Sequence, residues 1–152
     1  MYKIVATRGR DETTEPHTKR RKVVDDINPE LKDIISKLNG FDAERLNLIK
    51  TLAVGLTAWI KDGIEGEKRL VAAKRILRCY IDQLEGYTDD DAIKLFINEL
   101  DLESLPPEIG KLINLTQLDF SGNRLRELPK EIWKLTYLRH LNLGANELEI
   151  LS

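Results

Sequence analysis

The last third of this 152-residue chain repeats itself with an offset of 23 residues, and most of the recurring positions are leucine. Residues 115–128 return as residues 138–151, and a less regular copy precedes them from about residue 92. The matched positions are Leu115, Leu118, Phe120, Asn123, Leu125 and Leu128, then Leu138, Leu141, Leu143, Asn146, Leu148 and Leu151. Self-similarity of this period is typical of stacked supersecondary units, which expose one long face to other macromolecules.

The alternation of side chains within one repeat predicts a strand that is buried on one side. Leu118 and Phe120 are two residues apart, so both point to the same side of a strand. Gln117, Asp119 and Ser121 then point to the opposite side. The repeats therefore predict parallel strands with an apolar interior and a polar outer face.

An asparagine follows each of the two regular strands, at a position where the chain must turn. A side-chain amide both donates and accepts hydrogen bonds. We therefore expect Asn123 and Asn146 to be structural residues that bridge backbone groups of their own repeat and of the next one.

The pattern Leu-x-x-Leu-x-Leu-x-x-Asn-x-Leu-x-x-Leu-Pro, carried by residues 115–129 with Phe120 at its third leucine, resembles the leucine-rich repeat family. The resemblance covers about residues 92–152, in two close copies and one partial copy. In the partial copy, Leu100 stands in place of the asparagine and Ala92 in place of a leucine. The resemblance implies a short, curved α/β solenoid whose concave sheet face binds proteins, and it implies no chemistry.

The middle of the chain has the apolar spacing of helices. Asn28 followed by Pro29 is a helix start signal, and Asn39-Gly40 is a stop signal. Asp42 can cap a second helix that ends near residues 61–63, and a third helix should run from about residue 67 to 84. The short link between the second and third helices predicts an antiparallel hairpin. We assign this segment to no family.

These patterns predict an α+β protein with three zones. Residues 1–27 are expected to be a disordered charged tail, because they contain too little apolar surface to offset chain entropy. Residues 28–86 form a helical N-terminal cap segment. Residues 87–152 form about two and a half repeats, and the cap packs on the first of them.

The composition gives no sign that the chain binds nucleic acid or an anionic membrane. The formal net charge is −2, and no apolar stretch is long enough to cross a bilayer. The single cysteine excludes an internal disulfide and a cysteine-rich zinc site. No signal peptide is readable, so we expect a cytoplasmic protein. Export into a host cell without a cleaved signal, or nuclear entry, is the alternative.

Few side chains are candidates for chemistry. His140 and Asp119 lie on neighbouring predicted strands, but one histidine beside one aspartate is weak evidence for catalysis. Cys79 is expected to be a partly buried structural thiol. Trp59 is expected in the core, and Trp133 is expected to pack into the outer layer of the repeats rather than to anchor a partner. We predict no catalytic residue, metal or cofactor.

A run of four cations in the predicted tail is the sharpest charge feature. It consists of Lys19, Arg20, Arg21 and Lys22. Such a run can be a nuclear-import address or a nucleic-acid contact. We interpret it instead as a solvated run neutralised by nearby acids. A nucleic-acid surface is not expected, because no aromatic side chain interleaves with the run to stack on bases.

The partner-binding residues follow from the register of the predicted strands. They are Lys94, Phe96, Asn98, Gln117, Asp119, Ser121, His140 and Asn142. Because a standard interface takes about 20–30 residues per side, the helical segment or the tail should contribute, or binding should be weak, or the array should once have been longer. The third copy stops at residue 152 without a polar cap. We expect self-association or a partner at that edge, or a longer array.

The sequence therefore favours an adaptor or scaffold that binds a protein partner through the concave face. A bacterial effector that enters a host cell and targets a host protein is the first alternative. Nucleic-acid contact through the basic run, and an enzyme that uses His140 and Asp119, are lesser alternatives.

Overall fold

Three α-helices precede a small parallel sheet in the computed structural model, which describes residues 26–86 and 93–149. The helices are α1 (Pro29–Ser36), α2 (Ala43–Lys61) and α3 (Gly66–Leu84). The strands are β1 (Ile93–Phe96), β2 (Leu115–Asp119) and β3 (His140–Asn142), with the 3-10 helices η1 (Pro107–Lys111) and η2 (Lys130–Lys134) between them. The expected mixed α+β class is confirmed. The predicted charged tail up to residue 25, with its basic run at residues 19–22, lies outside the described residues.

Side-chain caps set the starts of the first two helices, as the sequence predicts. Asn28 Oδ1 accepts a hydrogen bond of 2.8 Å from the backbone N–H of Glu30. Asp42 Oδ1 accepts one of 2.8 Å from the N–H of Arg45. Each cap satisfies a backbone donor that has no partner within its helix.

Helix α1 ends earlier than the sequence indicates. It stops at Ser36 rather than at Asn39-Gly40. Its last turn tightens, because the N–H groups of Lys37 and Leu38 bond to carbonyls three residues back. Such i→i−3 bonds are common at helix ends and close the helix before the glycine is reached.

The hairpin of α2 and α3 buries a wider surface than one stripe per helix. Ile49, Leu52 and Leu56 are all buried on α2. On α3, Ala72, Ile76 and Leu77 are buried. Helix α3 buries the wider surface because it packs against both α2 and β1, so two of its faces lose contact with solvent. The helical and repeat interiors form one continuous apolar core.

The three strands are parallel and lie in the order β1-β2-β3. Leu95 pairs with Leu118, and Leu118 pairs with Leu141, so the register equals the 23-residue offset of the sequence. Leu95 and Leu118 are buried, whereas Leu141 is half-buried. The predicted parallel strands with a shared leucine interior are therefore present.

The third repeat is less buried than the second. Phe120 and Leu125 are fully buried, but Leu143 and Leu148, which occupy the same places one repeat later, are only partly buried. Within residues 26–86 and 93–149, no strand pairs with the outer edge of β3.

None of the described helices is both long enough and apolar enough to cross a bilayer.

Truncating the central leucine of the sheet tests how much the shared interior stabilises the fold. Leu118 is fully buried between Leu95 and Leu141, so Leu118→Ala should lower the free energy of unfolding by roughly 2–5 kcal/mol. Urea unfolding followed by circular dichroism measures this loss. The matched control is Leu141→Ala, which should cost less because Leu141 is half-buried. Equal losses in the two variants would contradict the burial seen here.

Candidate functional site

The outward side chains of the three strands form one continuous surface, which we call the strand face. Its two rows across the sheet follow from the strand register. They are Lys94, Gln117 and His140 in one row and Phe96, Asp119 and Asn142 in the other. All six are exposed or half-exposed, in contrast to the buried Leu95 and Leu118 that alternate with them. The structure thus brings six of the eight predicted partner-binding residues together.

The two remaining predicted residues, Asn98 and Ser121, follow their strands directly. Both are half-buried. The N–H of Glu99 donates 2.9 Å to the carbonyl of Ser121, which continues the hydrogen-bond ladder of β1 and β2 past the strand ends. The strand face is therefore lengthened by about one row.

Asp119 is a fixed negative charge at the centre of the strand face. Its Oδ1 accepts hydrogen bonds from the N–H of Ser121 at 2.9 Å and from the hydroxyl of Ser121 at 2.7 Å. These bonds stabilise the carboxylate and lower the pKa of Asp119. Asn142 makes the equivalent turn in the next repeat, where its Oδ1 accepts from the N–H of Gly144 at 3.0 Å.

The structure does not join the histidine and aspartate considered for catalysis. His140 pairs in register with Gln117, whereas Asp119 pairs with Asn142. Among the described residues, no hydrogen bond links His140 to Asp119. No group of three or more His, Cys, Asp or Glu side chains in this part of the chain is arranged to hold a metal ion.

Asn123 lies buried between the first two repeats and bonds to both. Its Oδ1 accepts from the N–H groups of Leu100 and Leu102, both at 3.0 Å. Its Nδ2 donates to the carbonyls of Ile97 at 3.0 Å and Phe120 at 2.9 Å. The prediction of a bridging amide is right, but its direction was wrong. The amide reaches back to the preceding repeat, not forward to the next.

Asn146 repeats this arrangement one unit later with less burial. Its Oδ1 accepts from the N–H of Leu125 at 3.1 Å, and its Nδ2 donates to the carbonyls of Phe120 and Leu143 at 2.9 and 3.1 Å. The bonds again join the residue's own repeat to the one before it.

A buried arginine that the sequence analysis missed ties the hairpin to the first repeat. Arg69 is 7% exposed, and its guanidinium donates to Glu65 Oε1 at 2.5 Å, the carbonyl of Trp59 at 2.6 Å and Ser104 Oγ at 3.2 Å. It also lies over the indole of Trp59, with 4.8 Å from Cζ to the ring centroid. The i, i+4 spacing of Glu65 and Arg69 was the only sequence signal. Trp59 is buried, as predicted.

The position of Trp133 differs from the expectation of the sequence analysis. It was expected to pack into the outer layer, but it is 59% exposed. Its counterpart one repeat earlier is Gly110, which is buried. A Cβ atom added at position 110 would lie 2.8 Å from the backbone oxygen of Glu131. That close approach leaves no room for an indole at position 110. No described segment covers η2 in the same way, so Trp133 stays exposed.

Comparisons with known proteins give no relative. Scans of protein-family models, of curated proteins and of solved structures each found no match to this chain.

Removing the buried amide of Asn123 should destabilise the protein more than removing the partly buried amide of Asn146. In Asn123→Ala, backbone groups around Leu100 and Ile97 lose their partners, at roughly 1–3 kcal/mol for each group left unpaired. In Asn146→Ala, water can replace the amide more easily because the site is only partly buried. Thermal and urea unfolding of both variants measures the difference. A loss for Asn146→Ala equal to that for Asn123→Ala would contradict the proposed role of burial.

The lone cysteine should be inert in the folded protein. Cys79 is buried on α3, and this burial, together with the nearby charge of Asp82, raises the pKa of its thiol to about 12. The reactive thiolate is therefore scarce at pH 8. Iodoacetamide at pH 8 should modify native Cys79 at least about 100-fold more slowly than the thiol of the urea-unfolded chain. Mass spectrometry gives both rates, and similar rates would refute the prediction.

Proposed function

We propose that this chain is a protein-binding module of the leucine-rich repeat type, which serves as an adaptor or scaffold in the cytoplasm. The observation that carries the proposal is the strand register. Leu95, Leu118 and Leu141 pair in a row, so the sequence period and the sheet period are the same. A sheet built in this way buries one set of side chains and leaves the strand face free for a partner.

The side chains of the strand face are suited to a protein surface. Phe96 is 45% exposed and offers an aromatic contact at the edge of the face. Gln117, His140 and Asn142 offer donors and acceptors, and Asp119 offers a fixed charge. Interfaces commonly combine aromatic anchors with such polar groups around them.

The asparagine turns also support the assignment to leucine-rich repeats. Each of Asn123 and Asn146 accepts a backbone N–H from the preceding repeat and donates to carbonyls of both repeats. A side chain whose position and most of whose bonds recur is expected of a repeat protein, in which each unit contacts its neighbours.

Substitutions on the strand face test the proposed function directly. Tagged protein is used to capture partners from a lysate after crosslinking, and each captured partner is quantified by mass spectrometry. The triple variant Gln117→Ala/Asp119→Asn/His140→Ala should reduce capture of the partner about tenfold or more, because central interface residues carry most of the binding energy. Asparagine at 119 keeps an oxygen that can accept from Ser121.

The control is a triple variant with the same number of changes away from the strand face. Glu127→Ala/Lys130→Ala/Lys134→Ala alters three exposed residues in or near η2 and should retain capture. Circular dichroism of both triple variants checks that they are folded. If the partner is retained by the strand-face variant, or lost equally from the control, the proposed function is wrong.

A further inference from the structure

A groove of about 450 Å³ lies between side chains of α3 and β1 at the border of the strand face. We call it the α3–β1 groove. Its rim carries Arg75, Arg78 and Asp82 from the helix and Lys94 and Phe96 from the strand, and Leu95 lies at its base. Because α3 packs directly on β1, these groups share one surface although some of them are far apart in sequence.

The groove is locally positive on a chain whose formal net charge is −2. Among the described residues, three cations line it, against the single carboxylate of Asp82. Among residues 26–86 and 93–149, which exclude the three aspartates at positions 89–91, no carboxylate lies within the 4.0 Å of an ion pair with Arg75, Arg78 or Lys94. Some other exposed cations are paired, such as Lys68 with Asp101 at 2.6 Å. An outside anion at the groove would therefore meet three cations that form no ion pair with a carboxylate of the described residues.

An aromatic side chain adjoins these cations. Phe96 is 45% exposed, and its backbone is tied to the helix because Arg75 Nη1 donates 3.0 Å to its carbonyl oxygen. This bond uses one of the donors of the guanidinium, which has five N–H groups. The remaining donors of Arg75 and the ring of Phe96 therefore lie side by side, as a charged and an apolar contact for the same ligand.

We propose that the α3–β1 groove binds an acidic segment of a partner protein, with carboxylates over Arg75, Arg78 and Lys94 and one apolar side chain against Phe96. The inference rests on the proposed function and specifies the chemistry of the partner. It also enlarges the binding surface. The strand face alone has fewer residues than the roughly 20–30 per side of a standard interface.

The charges across the sheet give the bound segment a direction. The cations lie on the α3 side, and the next strand carries the ionised Asp119 beside Phe96. An acidic segment is attracted at the groove and repelled over β2. Its acidic part should therefore lie along α3, while its neutral part extends over Gln117 and His140.

The same charges favour a protein over a nucleic acid. Asp82 lines the groove, and Asp119 pairs with Phe96 on the next strand, so a continuous phosphate backbone that extends across the sheet would meet a carboxylate. Of the residues that the structure describes, Phe96 is the only aromatic one on the rim. Nucleic-acid surfaces instead stack successive bases on several aromatic groups.

Fluorescence anisotropy with a labelled peptide tests the inference on the full chain. The probe is a fluorescein-labelled decapeptide with four glutamates around a central leucine–phenylalanine pair. At low ionic strength it should bind, and two control peptides should bind about tenfold more weakly. One control peptide has glutamine in place of glutamate, and the other has serine in place of the apolar pair.

Charge reversals in the groove provide the residue-level test. Arg75→Glu/Arg78→Glu should weaken binding of the acidic peptide about tenfold or more, and Arg78→Glu alone should weaken it severalfold. Arg78 makes no side-chain hydrogen bond within the described part of the chain, so this single variant guards against misfolding. Asp82→Asn should strengthen binding, because it removes a repulsive charge that lines the groove. The matched control Arg126→Glu/Lys130→Glu makes the same charge change elsewhere and should leave binding within about twofold.

Three results would overturn the inference. The first is equal binding of the glutamine peptide, and the second is an equal loss in the Arg126→Glu/Lys130→Glu control. The third is that a single-stranded oligonucleotide of matched charge binds as tightly as the acidic peptide and that its binding also depends on Arg75 and Arg78. That result would show a surface for polyanions in general. If the peptide fails while capture of a partner still depends on Gln117 and His140, the inference falls and the proposed function stands.

Discussion

The arrangement of the repeats depends on one side-chain amide, that of Asn123. Where β2 ends, the backbones of two neighbouring repeats turn away from the sheet with donors and acceptors inside the protein. The amide satisfies the N–H groups of Leu100 and Leu102 and the carbonyls of Ile97 and Phe120 at once. A carboxylate could only accept, and an apolar side chain could do neither. The amide therefore allows both turns to be buried, and the strands to lie in register.

The backward reach of the asparagines explains the irregular first repeat. An asparagine at this place bonds to the repeat that precedes it, and β1 has helix α3 beside it instead of another repeat. Leu100 therefore stands at that position, and its own N–H donates to Asn123 Oδ1. On the helical side, Arg69 joins the hairpin to Ser104 of the first repeat. The helices thus complete the interior that the repeats alone would leave open at β1.

Local and periodic features of this fold could be predicted from the sequence. The caps at Asn28 and Asp42 bond to backbone N–H groups two or three residues further on, and the pairing of Leu118 follows from the repeat itself. Features that depend on distant neighbours could not be predicted. Arg69 is buried only because Trp59 and Ser104 meet around it. The extent of the binding surface likewise depends on α3 packing beside β1, which no local pattern encodes.

The contrast between Gly110 and Trp133 limits how the sheet can be extended. Gly110 lets η2 approach η1 until the backbone of Glu131 nearly fills the place of a Cβ atom. Trp133 holds the same place one repeat later and presents an indole there. A further unit that approached η2 as closely would collide with this ring. The layer of 3-10 helices is therefore self-limiting at η2, and any chain that docks beside it must do so at a wider spacing or by wrapping around the tryptophan.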